Sequence, residues 1–194
     1  MEQHQNNNQL LATKSEELRN LRRNLKGVEV SSKTSLMEIR KLNFPPLTHL
    51  IPRDADNNPI RNQFGKVDKS LCYDFIAEYI SNVLVFFGED WKSDLIYDTA
   101  EAIYADYYYL TFADWKLLAQ RIKSSYYGKV YGKFTPAVLM DWIGHYANEW
   151  TQCSIDISLS GNDAHKKLSD SRDEREQMEQ AIKIGTMYHK LQIR

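Results

Sequence analysis

An all-α fold is what this sequence predicts, and three observations support it. Glycine (8) and proline (5) are scarce in a chain of 194 residues, which leaves few turns for a many-stranded sheet. Apolar residues make up 42% of the chain, enough to build a core. They recur at spacings of three and four, the period of an amphipathic helix. We therefore expect a compact core of four or five helices, an N-terminal helical segment on a proline-rich arm, and a charged C-terminal helix.

The N-terminal part of the chain predicts two helices followed by an arm. Residues 1–9 are rich in Gln and Asn and are predicted to be disordered. Residues 10–42 form the predicted N-terminal helical segment, with spaced leucines over Leu10–Leu25 and a second short helix over Ser35–Leu42. Residues 43–65 contain four of the five prolines and are predicted to be a linker that runs over the surface.

The core domain is predicted over residues 66–160, where the helical patterns are strongest. An apolar stripe begins near Ser70 and runs to Phe87, and Gly88 is expected to end this helix. A further helix is expected from about Ser93 to Tyr108 on the same kind of pattern.

Cap signals mark the remaining helices. Thr111 and Asp114 have the spacing of a capping box, although Glu or Gln is the usual third residue. Thr135 followed by Pro136 marks another helix start. Between these two helices, Gly128–Phe134 is predicted to be a loop or a small hairpin. Residues 161–194 are predicted to form the charged C-terminal helix.

No catalytic motif is visible, and we predict that the chain is not an enzyme and holds neither cofactor nor metal. It has no GxSxG, GxxxxGK[ST] or HExxH frame, and Cys72 and Cys153 form no CxxC pair. Asp94, Asp98 and Glu101 share one helix face and are suited to Mg²⁺. A solvated acidic face explains the same spacing.

The sequence also predicts a cytoplasmic protein without membrane contact. The first eight residues are polar and lack the apolar stretch of a secretory signal. The longest apolar run, Val83–Phe87, is much shorter than a membrane span. Two widely separated cysteines suit a reducing compartment.

Charge is sorted into blocks in a chain whose net charge is only -1. Leu71–Asp114 holds nine acids against one base, and Trp115–Met140 holds five bases and no acid. Basic residues interleaved with aromatic ones can hold a phosphate backbone and stack on bases. The candidate nucleic-acid-binding residues form what we call the basic/aromatic segment: Arg121, Lys123, Tyr126, Tyr127, Lys129, Tyr131 and Lys133. The alternative interpretation is a connector between two helices whose tyrosines pack on the core.

Four stretches of the core domain share a pattern with known proteins. They are Asp106–Leu110, Phe112–Lys116, Tyr127–Gly132 and Val138–Tyr146. Through these stretches, residues 71–150 resemble a family of small all-helical proteins of unassigned function from phages and mobile elements of gut bacteria. In layout, that family resembles phage replication accessory proteins such as helicase loaders. The resemblance implies the host bacterial cytoplasm as location and carries over no functional residue.

The function predicted is that of a non-catalytic, phage-type DNA-replication accessory protein. It would contact nucleic acid through the basic/aromatic segment. The end segments, Leu10–Leu25 and His165–Lys190, would contact a partner protein such as a replicative helicase. The alternative is an assembly or adaptor protein, for example of a virion, that self-associates into a homo-oligomer through its sorted charge. A Mg²⁺-dependent enzyme on the acidic helix is a third interpretation.

Overall fold

Helices account for all the regular structure in a computed structural model that describes residues 2–62 and 64–160. The elements are α1 (Glu2–Lys26), α2 (Leu36–Lys41), a 3₁₀-helix (Leu47–Leu50), α3 (Ser70–Phe87), α4 (Ser93–Tyr107), α5 (Phe112–Lys123) and α6, which begins at residue 136. No strand occurs in the described residues, and the predicted all-α class is confirmed.

The division of the chain differs from the predicted one. Met1–Glu149 form one compact unit and Trp150–Arg194 a second, of which residues 150–160 are described and are helical. The N-terminal segment and the proline-rich arm therefore belong to the same unit as the helices after residue 66. The charged C-terminal helix predicted over residues 161–194 lies outside the described residues.

Helix α1 is longer than predicted and is tied to α5 at its C-terminal end. It begins at Glu2 rather than Leu10, so the backbone is helical in the stretch predicted to be disordered. Gln is a good helix former, and a polar composition does not by itself exclude a helix. Lys116 Nζ donates to the carbonyls of Leu25 and Val28, at 2.5 Å each. The Leu25 carbonyl also accepts from Val28 N (3.2 Å), so Lys116 reinforces the turn that ends α1.

The proline-rich arm runs only partly over the surface, because four of its apolar residues enter the core while residues 53–58 stay exposed. Leu47 and Leu50 of the 3₁₀-helix are fully buried. Leu47 N donates to the Leu110 carbonyl (3.3 Å), and Phe112 N donates to the Pro45 carbonyl (3.2 Å), so the arm pairs with the α4–α5 junction. Prolines prevent a long helix here, but they do not prevent burial. The burial has a signal in the sequence, a set of apolar residues spaced along the arm: Leu47, Leu50, Ile51 and Ile60.

Two turns of the arm repeat one hydrogen-bonding pattern. In the first, Asp54 Oδ1 accepts from the N–H groups of residues 56 and 58, and Arg53 donates to the carbonyl of residue 57. In the second, Asn62 Oδ1 accepts from residues 64 and 66, and Arg61 donates to the carbonyl of residue 65. Asp and Asn form such side-chain-to-backbone turns readily. The two copies share few residue types, so the repeat is visible in the structure and not in the sequence.

Helix α3 lies at the centre of the first unit and contacts α4, α5 and the 3₁₀-helix. It ends at Gly88, as predicted. Its buried side chains are Cys72, Phe75, Ile76, Ala77, Tyr79, Ile80, Val83 and Leu84. By length and composition, α3 is also the one helix among the described residues that is able to cross a membrane. The burial of so many of its side chains against other helices is what a core helix requires.

The buried thiol of Cys72 predicts a pH dependence of stability. Its Sγ donates to the Leu47 carbonyl at 3.3 Å, and burial raises the pKa of the thiol to about 12. The unfolded chain loses this proton near pH 9 while the folded state keeps it. The free energy of unfolding should therefore fall as the pH rises above about 9, by up to about 1.4 kcal/mol per pH unit from this group.

Urea denaturation at several pH values between neutrality and pH 10 measures this slope. The Cys72→Ala variant should lose that part of the slope, and Cys153→Ala, which alters the other cysteine, should keep it. An unchanged slope in Cys72→Ala would contradict the assignment.

Candidate nucleic-acid interface

The basic/aromatic segment follows α5, and a capping box fixes the start of that helix. Asp114 N donates to Thr111 Oγ1 (3.2 Å), and Thr111 N donates to Asp114 Oδ2 (2.8 Å), as the sequence predicted. Asp114 is also fully buried, and its Oδ1 accepts from the Tyr146 hydroxyl at 2.7 Å. The same carboxyl group therefore caps α5 and joins it to α6. No local signal in the sequence predicts the second role, because Tyr146 is distant along the chain.

Arg121 does not lie at the surface, where the nucleic-acid hypothesis placed it. Only 5% of the residue is exposed. Its NH1 donates to Glu149 Oε2 (2.6 Å) and to the Tyr127 hydroxyl (3.1 Å). The guanidinium also lies 4.5 Å from the ring centroid of Tyr126 and 5.6 Å from that of Tyr146. Its charge is already paired with that of Glu149, so Arg121 holds the segment against the core and does not face a ligand.

Tyr127 is likewise directed inward, towards Arg121. Burial raises the pKa of its hydroxyl to about 12, against the opposite effect of the Arg121 hydrogen bond, so the hydroxyl stays neutral at physiological pH. Its ring stacks on His145 of α6, with centroids 6.2 Å apart. Tyr127 and Arg121 thus fit the alternative interpretation, a connector whose side chains pack on the core.

The other five residues of the predicted set remain exposed. They are Lys123, Tyr126, Lys129, Tyr131 and Lys133. Tyr131 is 89% exposed and Tyr126 is 53% exposed. Within the described part of the chain, none of the three lysines forms an ion pair. The charge of these lysines and the ring of Tyr131 are therefore available to a ligand, while the Arg121 guanidinium covers one face of the Tyr126 ring.

Two glycines shape the exposed middle of the segment. Gly128 has φ 118° and Gly132 has φ 90°, which side chains with a Cβ rarely adopt. The backbone between them contains no strand, so the region predicted to be a loop or a small hairpin is a loop. Lys129 and Tyr131 lie on this loop.

Phe134 anchors the C-terminal end of the segment. Its buried ring stacks on Phe87 (centroids 4.7 Å apart) and on Trp91 (5.7 Å). Trp91 Nε1 donates to the Phe134 carbonyl, and Phe134 N donates to Glu89 Oε1, at 3.1 Å each. The segment is therefore held at both ends, by Arg121 and by Phe134, while its middle faces solvent.

One exposed ring beside the segment was not among the predicted site residues. Phe86, at the end of α3, is 52% exposed, and Lys123 Nζ lies 5.8 Å from its ring centroid. The C-terminal ends of α3 and α5 thus contribute to one surface. A signal was present in the apolar run Val83–Phe87, because a helix cannot turn five consecutive residues inward. We call Phe86, Lys123, Tyr126, Lys129, Tyr131 and Lys133 the exposed interface.

The acidic face of α4 is separate from this surface in sequence and character. Asp94, Asp98 and Glu101 are exposed, and within the described residues they form no ion pair. No group of three or more His, Cys, Asp or Glu side chains among the described residues is arranged to hold a metal ion. The spacing of these three acids along α4 is thus not accompanied by a cluster of metal ligands in the described residues.

Compared with protein-family models, with curated proteins and with solved structures, the chain matches none. The resemblance of residues 71–150 to small phage and mobile-element proteins therefore stays a prediction. Support for a function comes from the geometry of the exposed interface.

Proposed function

We propose that this protein is a non-catalytic accessory protein that binds nucleic acid through the exposed interface. The observation that carries the proposal is that Lys123, Lys129 and Lys133 are exposed, lie near exposed rings in the sequence, and have no ion-pair partners among the described residues. Lysines can neutralise phosphates, and exposed rings can stack on bases. Arg121 and Phe134 hold the segment in place, which lowers the cost of ordering it on binding.

Phage-type DNA replication in the host bacterial cytoplasm is the setting that we propose, on the basis of the layout of the chain. The partner protein, such as a replicative helicase, would bind the terminal helices. Of the leucines in Leu10–Leu25, only Leu18 is buried, and the others are partly exposed. Partly exposed leucines on one helix leave apolar surface for a second protein. The other proposed contact, His165–Lys190, lies outside the described residues.

Salt dependence tests the nucleic-acid proposal directly. Each neutralised phosphate contributes about 0.7–0.9 to the slope of log affinity against log salt. With three lysines in contact, affinity for an oligonucleotide should fall about 20- to 40-fold between about 50 and 200 mM salt. Neutralising all three lysines, with glutamine at Lys123, Lys129 and Lys133, should remove most of this dependence. Fluorescence anisotropy of a labelled oligonucleotide measures both effects.

A matched control neutralises three exposed lysines elsewhere in the chain, Lys33, Lys41 and Lys66. This variant has the same net charge as the first, so it separates a local interface from general attraction. If both variants lose binding equally, or if the unaltered protein binds neither single- nor double-stranded DNA, the proposal fails.

A second candidate function is an assembly or adaptor protein that self-associates through its sorted charge. The observation in its favour is that Asp94, Asp98 and Glu101 of α4 are as exposed as the lysines of the interface, and neither set is ion-paired among the described residues. An acidic face on one copy and a basic loop on the next would give head-to-tail contacts. Light scattering at two salt concentrations would then show an oligomer that dissociates in salt and ignores DNA.

A further inference from the structure

We infer that the ligand of the exposed interface is a single strand of nucleic acid, and that Phe86 stacks on one of its bases. The inference rests on the proposed function and deepens it, because it names the form of the ligand and adds a residue from α3. Three rings support it: Phe86 (52% exposed), Tyr126 (53%) and Tyr131 (89%).

Phe86 is held in position while half of it is open to solvent. Its ring makes a T-shaped contact with Phe87, at 5.1 Å and 86°. Phe87 in turn stacks on Phe134, with ring centroids 4.7 Å apart. A phenyl ring has no polar atom to interact with water, so an oriented ring at the surface gains most when a flat partner covers it.

The charge beside this ring matches a nucleotide. Lys123 Nζ lies over the ring of Phe86, 5.8 Å from its centroid, so a base that stacks on Phe86 takes the other face or displaces this flexible side chain. Each nucleotide carries one base and one phosphate a short distance apart. A base stacked on Phe86 would therefore bring its phosphate near the Lys123 ammonium group.

Exposed rings also discriminate between the forms of nucleic acid. In a duplex, both faces of each base are covered by the neighbouring base pairs, so Phe86, Tyr126 and Tyr131 have nothing to stack on. A duplex could use only the lysines, whereas a single strand can use lysines and rings together. The interface should therefore prefer single strands.

The experiment compares three probes by fluorescence anisotropy at one salt concentration. The probes are a single-stranded DNA of about 20 nucleotides, its duplex, and the single-stranded RNA of the same sequence. We expect the unaltered protein to bind the single strands at least about tenfold more tightly than the duplex. The Phe86→Ala variant should lose about fivefold to tenfold in affinity for single strands and nothing for the duplex. The RNA probe shows which kind of single strand is preferred.

Two further variants control for structural damage. Phe86→Leu keeps an apolar side chain without a flat ring, and it should show the same selective loss. Phe64→Ala removes a ring that is 76% exposed on the arm, away from the exposed interface in sequence, and it should change neither affinity.

Different experimental results would overturn the inference and the proposed function. Equal affinity for single strands and duplex, or an equal effect of Phe86→Ala on both, would overturn the inference and leave nucleic-acid binding in place. If Phe86→Ala lost self-association while its nucleic-acid affinity stayed unchanged, this surface would be a protein interface, and the inference would also be overturned. Absence of binding to all three probes would remove the proposed function itself.

Discussion

Replacing Phe134 with alanine is expected to lower the free energy of unfolding by about 3–5 kcal/mol, because it removes a buried ring from a packed aromatic cluster. Phe134 stacks on Phe87 and Trp91 and lies 5.6 Å from the ring of Trp142, so its loss leaves a cavity bordered by three large side chains. The same substitution removes the ring contacts that hold the C-terminal end of the basic/aromatic segment, while the backbone hydrogen bonds of residue 134 remain.

Urea denaturation at neutral pH measures the change, and Tyr131→Ala is the control. Tyr131 is on the same loop and almost fully exposed, so its removal should change the free energy of unfolding by less than about 0.5 kcal/mol. A Phe134→Leu variant should fall between the two, since leucine fills part of the space. If Phe134→Ala were as mild as Tyr131→Ala, Phe134 would not be the anchor described above.

The second large effect is expected at Asp114, whose carboxyl group caps the start of α5 and accepts a hydrogen bond from the Tyr146 hydroxyl. Asp114→Ala should lower the free energy of unfolding by about 2–4 kcal/mol. Part of this loss, about 1 kcal/mol, is the helix cap. The rest comes from Tyr146, because its hydroxyl is left in the core without the 2.7 Å partner it now has.

A double-mutant cycle with Tyr146→Phe separates these two contributions. In the unaltered protein, Tyr146→Phe removes one hydrogen bond and should cost about 1 kcal/mol. In the Asp114→Ala background, the same change removes a hydroxyl that has no partner, so it should be neutral or stabilising. Equal costs of Tyr146→Phe in both backgrounds would show that the two side chains are not coupled.

The sequence predicted those features of the fold that depend on neighbours along the chain. The capping box of Thr111 and Asp114 was predictable because both hydrogen bonds join residues three positions apart. The helix over Ser70–Phe87 was predictable because an apolar stripe and a following glycine are local signals. For the proline-rich arm, propensity correctly excludes a long helix, but it carries no information about burial. The burial of Leu47 and Leu50 depends on contacts with parts of the unit that are distant along the chain.

The candidate site shows the same limit more sharply. Charge and composition drew attention to the correct segment, but they treated its basic residues as equivalent. Arg121 differs from Lys123 because Glu149 lies opposite it, 28 residues further along the chain. Phe86 was missed because composition assigns an apolar run to the core, although the helical period turns part of that run outward.

Two of the five bases in Trp115–Met140 direct their charge into the protein, Lys116 towards the carbonyls at the end of α1 and Arg121 towards Glu149. Because Glu149 neutralises Arg121, a polyanion approaching from solution meets a weaker field than the residue count implies, and at physiological ionic strength that field fades within about 8 Å. Long-range steering then adds little to the association rate, and capture depends on direct collision with the loop. The protein would accordingly discriminate among polyanions through the dissociation rate, which would be slowest for the ligand that fits the loop.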